Sequence, residues 1–176
     1  MLNRIIKDER ELTPKEILER LNHAVIQVLH QESENPISKD GMDASICMVD
    51  TLNNQLHFAG ANNALYLIRN GQIEITKADG NSVGIQPNNR LSSFTNHVID
   101  IQKGDCFYLF SDGYAGQFGG TTGDQKMKYI RFRDTLLANH KLPMQVQKTQ
   151  LHQHLKNWMV DSYEQTDDIM VIGFSL

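Results

Sequence analysis

The sequence predicts an α+β domain in which antiparallel sheets are covered by helices. An amphipathic stretch near the start of the chain indicates a helix that needs a sheet to cover. The region from Met42 to Phe110 consists of short apolar runs joined by turn residues, which is typical of antiparallel hairpins. Helical patterns and one last apolar run follow. This order favours a layered α+β domain over a parallel βαβ fold.

The clearest helix is predicted from Thr13 to Gln31. Thr13-Pro14-Lys15-Glu16 has the capping-box pattern, with proline at the first helical position. The residues that follow form one apolar stripe at helical spacing: Ile17, Leu18, Leu21, Ala24, Val25, Val28 and Leu29. Residues 1–7 also have helical spacing, but no capping residue precedes them, as at the end of a helix that starts earlier.

Two hairpins are predicted next. Asn53-Asn54 joins the two apolar runs within residues 46–59, and Asn70-Gly71 joins those within residues 64–75. Asn-Gly favours a type I′ turn, because both residues readily adopt positive φ angles.

The second half of the chain predicts two strands, two helices and a last strand. The strands are residues 94–101 and the strongly apolar run 106–110, and the helices are residues 131–137 and 143–159. Pro143 is a plausible helix start. The final apolar run, residues 169–174, is expected to be a strand.

Length and composition favour a single domain over residues 1–176. Of these residues 40% are apolar and 22% are charged, as in a soluble globular protein with a core. The net charge of −4 argues against a nucleic-acid-binding module. No apolar run approaches the ~18 residues of a membrane span, and the start lacks a signal-peptide core. We therefore expect a cytoplasmic segment, in which Cys47 and Cys106 are buried, reduced thiols.

Two acidic turns are the candidates for chemistry. Ser111-Asp112-Gly113 follows one apolar run, and Asp167-Asp168 precedes the last one. A folded sheet can bring such aspartates together around a hard cation, which prefers oxygen ligands. Alone, the first motif is typical of a turn or a helix N-cap. The second alone is typical of charged residues that flank an apolar strand and reduce aggregation. Together they favour metal-assisted chemistry on phosphate.

The other polar residues indicate less. His152 and His154 are two apart on a predicted helix and point in different directions, while His23 and His30 lie ~10 Å apart along theirs. Neither pair can chelate one ion. The sequence contains no HExxH, Gly-x-Ser-x-Gly, Walker or CxxC motif.

A basic cluster is formed by Lys126, Lys128, Arg131 and Arg133. Such a cluster is more often a solvated loop and helix start, but it can also contact a phosphate or an acidic partner. Lys126, Lys128 and Arg131 are therefore candidate substrate-binding residues.

Five short motifs then follow one another along essentially the whole chain. They are Asp40-Gly41-Met42-Asp43-Ala44, Phe58-Ala59-Gly60-Ala61-Asn62-Asn63, Leu109-Phe110-Ser111-Asp112-Gly113-Tyr114, Phe118-Gly119-Gly120 and Thr166-Asp167-Asp168-Ile169. In this order the motifs resemble those of the SpoIIE-type bacterial serine phosphatases of the metal-dependent type 2C (PPM) superfamily. The resemblance implies an α-β-β-α sandwich, with two antiparallel sheets face to face and helices outside. It also implies Mn²⁺ or Mg²⁺, two ions in a complete domain, at one end of the sheets.

The resemblance also assigns site residues. In the family, the aspartate of the Ser-Asp-Gly motif and the first aspartate of the terminal pair bind the catalytic metal, which carries over to Asp112 and Asp167. Their neighbours Gly113 and Asp168 complete the expected metal site, with Asp168 at a more variable position. The metals would activate a bridging water and stabilise charge on the phosphoryl group during in-line displacement.

The chain departs from the family at its start. Family domains open with strands that carry an Asp-x-x-Gly-His-Gly-like motif, whose Asp and a Gly carbonyl bind both ions, followed by a long helix. This sequence has no such motif, and residues 1–7 resemble the end of that helix. We therefore expect a domain without its N-terminal strands and one essential ligand, which alone hydrolyses phosphoesters slowly or not at all.

Two hypotheses from different classes follow. The first is a metal-dependent serine/threonine phosphatase module of a bacterial signalling protein, behind an upstream sensor domain. It acts on a phosphoserine of a regulatory partner such as an anti-sigma-factor antagonist. The second is a catalytically silent, phosphatase-like module that binds its partner without turnover. An in-frame Asp-x-x-Gly-His-Gly segment upstream of Met1 would favour the enzyme.

Overall fold

Helix α1 begins at the capping box that the sequence predicts. The Thr13 N–H donates to the Glu16 carboxylate at 2.8 Å, and the Glu16 N–H donates to the Thr13 hydroxyl at 3.4 Å. The helix spans Pro14–Val28, so its predicted start is confirmed. The computed structural model describes the following parts of the chain: residues 12–31, 41–85, 91–121, 125–159 and 164–176.

The end of α1 comes three residues before the predicted Gln31. His30 has a φ angle of 49°, which breaks the helical geometry. The Gln31 side chain turns inward, where its Oε1 accepts a hydrogen bond from the Ile85 N–H at 2.8 Å. The helical spacing noted at residues 1–7 lies outside the described residues.

The described elements follow one another in this order: α1 Pro14–Val28, β1 Ala44–Asp50, β2 Gln55–Ala61, β3 Leu65–Arg69, β4 Gln72–Thr76, β5 His97–Asp100, β6 Cys106–Phe110, α2 Gly113–Gly116, β7 Phe118–Gly119, β8 Gln125–Lys126, α3 Lys128–Asn139, α4 Met144–Met159 and β9 Val171–Ser175. They divide between two compact units. The first unit comprises Met1–Leu65 and Thr76–Ile101, and the second comprises Tyr66–Ile75 and Gln102–Leu176. None of the helices described is long and apolar enough to cross a bilayer.

The first unit contains a three-stranded sheet of order β1-β2-β5. Both strand pairs are antiparallel, and the β1–β2 register runs from Ala44 opposite Ala61 to Asp50 opposite Gln55. The predicted first hairpin is thus confirmed. Apolar residues of α1, β2 and the loops form the core of this unit: Leu18, Leu21, Ala59, Ala61, Val83 and Phe94.

The strand predicted over residues 94–101 is shorter than expected. β5 begins only at His97. Phe94 is buried in the core of the first unit, and Thr95 is held by Asp79, whose carboxylate accepts from its N–H at 2.7 Å and its hydroxyl at 3.0 Å. These residues therefore belong to a loop, and the prediction of a strand from Phe94 is wrong at its start.

The second unit is built on a four-stranded sheet of order β4-β3-β6-β9. The turn between β3 and β4 has φ angles of 52° at Asn70 and 75° at Gly71, as a type I′ turn requires. The β6–β9 pair is antiparallel. The α+β class with antiparallel sheets is therefore confirmed.

Helices α3 and α4 and the final strand differ from their predicted ranges only at their ends. α3 starts three residues before Arg131, and α4 starts directly after Pro143. β9 starts two residues after the predicted Ile169, because the Met170 N–H bonds to the hydroxyl of Ser111. The core between these elements is rich in aromatic rings: Tyr66, Phe110, Tyr114 and Phe132 have neighbouring centroids 4.5 to 5.1 Å apart.

Both cysteines are free thiols. Cys106 is buried in β6, and Cys47 is half-buried in β1. Burial raises the pKa of the Cys47 thiol to about 12 and also raises the pKa of Cys106. Both side chains therefore remain protonated at neutral pH, when a thiol is a weak nucleophile.

A buried ion pair joins the β3–β4 hairpin to the start of β6. Arg69 donates from Nε and Nη2 to the two carboxylate oxygens of Asp105, at 3.0 and 2.6 Å. Burial by itself raises the pKa of Asp105, but the hydrogen bonds from Arg69 and from the Gln102 N–H outweigh it and hold the pKa below its usual value. The pair therefore stabilises the fold above the unfolded pKa of about 3.9, and this contribution is lost as pH falls through the folded pKa.

We predict that Arg69→Met lowers the free energy of unfolding by about 3 to 5 kcal/mol, because it leaves the Asp105 carboxylate buried and unpaired. Urea denaturation at pH 7 measures the loss. The control is Arg133→Met, since Arg133 makes an exposed 3.3 Å bond to the Tyr129 carbonyl of its own helix, and its effect should stay within about 0.5 kcal/mol. Equal losses in the two variants would contradict the role of the ion pair.

Candidate metal centre

The two acidic turns lie at the same end of the β6–β9 pair. The last residue of β6 is opposite the first residue of β9, so the turn after β6 meets the segment before β9. Ser111 joins the two segments: its hydroxyl donates to the Asp168 carbonyl at 2.8 Å and accepts from the Met170 N–H at 2.9 Å. Its own N–H donates to the Met170 carbonyl at 3.0 Å. These bonds hold the second acidic turn beside Asp112.

Gly113 brings the same two segments into direct contact. A β carbon at this position would collide with the backbone carbonyl group of Asp168. Gly116, in the same short helix, has no atom within 4 Å of a β carbon placed there. The close approach therefore requires glycine at position 113 but not at 116.

The carboxylates of the acidic turns have few protein partners. Asp112 is exposed and stands at the N-cap position of α2, but its side chain makes no capping hydrogen bond. Within the described part of the chain, this carboxylate has no hydrogen bond or ion pair. Asp167 accepts a bond at Oδ1 from the Asp168 N–H at 2.7 Å. Helix capping, the structural alternative for the Ser-Asp-Gly motif, is thus not what the Asp112 side chain does.

These donors suit a hard divalent cation. Mg²⁺ typically takes one or two carboxylates and keeps several waters, and Mn²⁺ also suits carboxylate, carbonyl and water ligands. Among the described residues, no group of three or more His, Cys, Asp or Glu side chains could hold a metal. The fit therefore depends on Asp112 and Asp167, and on the carbonyl oxygens of Gly113 and Asp168. The assignment of these four residues to a metal remains a prediction.

A groove of about 760 Å³ places Asp112 together with the predicted basic residues. The residues that line it are Asp112, Ala115, Gly116, Gln125, Lys126, Lys128, Tyr129, Ile130 and Arg131. The three candidate substrate-binding side chains thus share one groove with the first candidate metal ligand.

Two of the three cations are held over aromatic rings. The Lys126 ammonium lies 5.4 Å from the centroid of the Phe118 ring, and the Arg131 guanidinium lies 4.9 Å from that of Trp158. Such contacts orient the cation and contribute about 0.5 to 1 kcal/mol at exposed sites.

The third cation, Lys128, has an unusual backbone. Its φ angle is 67°, in the left-handed region that costs an L-residue about 1 to 2 kcal/mol. Residues held in such conformations cluster at functional sites. The strained backbone therefore indicates a functional role for Lys128, independently of its charge.

Three residues of the site were not predicted from sequence. Ser111 joins the acidic turns, and Trp158 lies against the Arg131 guanidinium. Gln117 is fully buried between the Ser-Asp-Gly and Phe-Gly-Gly motifs. The sequence signal for Gln117 was its position between two motifs, because a single glutamine forms no periodic pattern.

The fold is that of the PP2C phosphatase domains. The PP2C domain of SiaA from Pseudomonas aeruginosa is similar with a TM-score of 0.86 and 26% sequence identity, over 99% of this chain and 65% of that chain. The family model for Stage II sporulation protein E (SpoIIE) matches residues 1–176. The chain therefore belongs to the SpoIIE family, as the resemblance of its motifs predicted.

Two further solved structures show the same fold at lower identity. The PP2C domain and a fragment of the regulatory domain of SpoIIE from Bacillus subtilis match with a TM-score of 0.70 and 13% identity, over 99% of this chain and 47% of that chain. RsbX in complex with magnesium matches with a TM-score of 0.60 and 17% identity, over 98% and 69%. The chain spans less than two thirds of the SiaA and SpoIIE structures. A search of the curated proteins finds no match.

We predict that Gly113→Ala destabilises the protein by about 1 to 3 kcal/mol, because the new methyl group must push the backbone of Asp168 away from α2. Urea denaturation and hydrogen exchange of the Met170 amide measure the two consequences. Gly116→Ala is the matched control and should be neutral or stabilising by up to about 1 kcal/mol. The same result for both glycines would show that the contact at 113 does not hold the acidic turns together.

Proposed function

We propose that this chain is a metal-dependent protein serine/threonine phosphatase module of a bacterial signalling protein, which removes phosphate from a phosphoserine of a regulatory partner. One observation carries the proposal: Asp112 and the three cations Lys126, Lys128 and Arg131 line the same groove. Membership of the SpoIIE family supports the same conclusion. A similar solved structure, with 18% identity and a TM-score of 0.62, is described as a bacterial serine phosphatase.

The positive charges of the groove suit a phosphoprotein substrate. The chain has a net charge of −4, so a local set of two lysines and an arginine gives the groove a field that attracts phosphate. The planar guanidinium of Arg131 can donate two parallel hydrogen bonds to a phosphate group. Its contact with Trp158 fixes it in advance, which reduces the entropy lost on binding.

Asp112 favours a bound cation in this arrangement. Its carboxylate repels a phosphate at short range, and a divalent ion between the two would convert that repulsion into attraction. Mn²⁺ or Mg²⁺, held by Asp112 and Asp167, would stabilise charge on the phosphoryl group and activate a water. The lysines and Arg131 would bind the phosphate oxygens and orient the phosphoserine.

The identity of the partner and the setting of the module extend the proposal. A phosphoserine protein such as an anti-sigma-factor antagonist, and regulation by an upstream sensor domain in the cytoplasm, are consistent with the SpoIIE family. A centre of two ions in the complete domain also belongs to the proposal, with the two acidic turns as the candidate ligands in this chain.

We predict that Asp112→Asn and Asp167→Asn each weaken Mn²⁺ binding by about 10-fold or more and reduce any Mn²⁺-dependent hydrolysis in parallel, because asparagine keeps the shape of the ligand without its charge. Isothermal titration with Mn²⁺ and hydrolysis of a phosphoserine peptide, with and without EDTA, measure both effects. Asp134→Asn, on the exposed side of α3, is the control and should change neither.

Mn²⁺ affinity equal to that of the wild type in both site variants would contradict the proposed metal centre. Binding of the phosphopeptide without Mn²⁺-dependent turnover, in the chain and in the full-length protein that carries it, would favour the silent binding module instead.

We predict that Lys128→Gly weakens phosphopeptide binding about 3- to 10-fold, while stability stays unchanged or rises by up to about 1 kcal/mol, because glycine adopts positive φ without strain. Fluorescence anisotropy with a labelled phosphoserine peptide and urea denaturation give the two values. Lys148→Gly, inside α4, should show the opposite pattern: about 1 kcal/mol of stability lost and binding unchanged. A Lys128→Gly variant that resembles the Lys148→Gly control would rule out a binding role for the strained lysine.

A further inference from the structure

The Gln117 side chain is bound to the segment that leads into the second acidic turn. Gln117 is 0% exposed. Its Nε2 donates to the Glu164 carbonyl at 3.0 Å, and its Oε1 accepts from the Thr166 N–H at 3.2 Å. Nε2 also donates to the carbonyl of the adjacent Phe118 at 3.2 Å. A single buried amide thus binds two backbone groups on either side of residue 165.

The backbone of Gln117 is bound to the other side of the site. Its carbonyl accepts from the Met127 N–H at 3.0 Å and from the Trp158 indole N–H at 3.1 Å. Met127 is fully buried between Lys126 and Lys128, and the Trp158 ring carries the Arg131 guanidinium. The residue that holds the acidic turn therefore also holds the elements that present the groove cations.

The acidic turn is held by polar contacts and by the close approach of Gly113 to the Asp168 backbone. All five residues from Glu164 to Asp168 are exposed, so no buried apolar side chain anchors the segment. Gln117 holds Thr166 on one side of Asp167, and Ser111 holds Asp168 on the other. Within the segment, the Gln165 Nε2 donates to the Asp167 carbonyl at 2.7 Å. The contacts that tie the backbone around Asp167 to other parts of the chain are therefore those of Gln117 and Ser111.

We propose that Gln117 is a positioning residue that fixes Asp167 for metal binding and holds the second acidic turn at a defined position relative to the cations of the groove. The inference rests on the proposed function in so far as Asp167 binds Mn²⁺ or Mg²⁺. Polar groups that orient metal ligands typically contribute 10- to 100-fold to metal affinity, and a buried amide whose groups are all bonded is well suited to that role.

A matched control separates this role from simple stabilisation. Gln147 is also buried, at 2% exposure. Its side chain likewise makes three hydrogen bonds, accepting from the Tyr108 hydroxyl and donating to the carbonyls of His140 and Leu142. None of these partners belongs to the acidic turns or the groove. Gln117→Leu and Gln147→Leu therefore remove equivalent buried amides from the same unit.

The experiment compares the full chain with these two variants by Mn²⁺ titration and by hydrogen exchange without metal. Gln117→Leu should weaken Mn²⁺ binding about 10-fold or more and speed exchange of the amides of Thr166 to Asp168. Gln147→Leu should lose similar stability but keep wild-type Mn²⁺ affinity and exchange in that segment. Gln117→Glu, nearly isosteric, serves if the leucine variant does not fold: it keeps the acceptor for Thr166 but cannot donate to Glu164, so its affinity should also fall.

The outcomes distinguish this inference from the proposed function. Wild-type protein that binds no Mn²⁺ would overturn the proposed function and this inference with it. Wild-type binding that Gln117→Leu and Gln117→Glu leave unchanged, or that Gln147→Leu weakens equally, would overturn the role of Gln117 alone.

Discussion

The pairing of β6 with β9, extended by the hydroxyl of Ser111, is the constraint on which the rest of the site depends. It joins parts of the chain that are 57 residues apart and sets which backbone groups face each other at the end of the sheet. Inside the pair, the rings of Phe107 and Phe174 stack with centroids 5.4 Å apart, so apolar packing and hydrogen bonds fix the same register. A slip of one residue would turn every side chain of β9 to the opposite face. It would also separate the two acidic turns.

Local chemistry made much of the fold predictable from sequence. The capping box of α1 and the Asn-Gly turn are decided by residues within four positions of one another, and both are found as predicted. The start of β5 was not predictable, because it depends on residues distant in sequence. Phe94 packs into the core of the first unit, and the Thr95 N–H bonds to the carboxylate of Asp79. The same limit applies to where each helix stops.

The candidate site was likewise predictable in its residue types but not in its spatial arrangement. The aspartates and the basic residues were identified as separate groups from their types and spacing, but their common groove depends on the path of the chain between residues 112 and 131. No sequence pattern predicts the positive φ angle of Lys128 or the hydrogen bonds of Gln117, because both depend on the path of the folded backbone. Sequence thus indicated which chemical groups were available, and the structure shows which of them are held together.

The late position of β9 has a consequence for synthesis of the protein. Ser111 leaves the ribosome 57 residues ahead of Asp168, a delay of roughly 3 to 11 s at ~5–20 residues per second. During that interval the edge of β6 lacks its partner, and an unpaired apolar edge is a site for aggregation. The two acidic turns cannot come together before translation of this segment is complete.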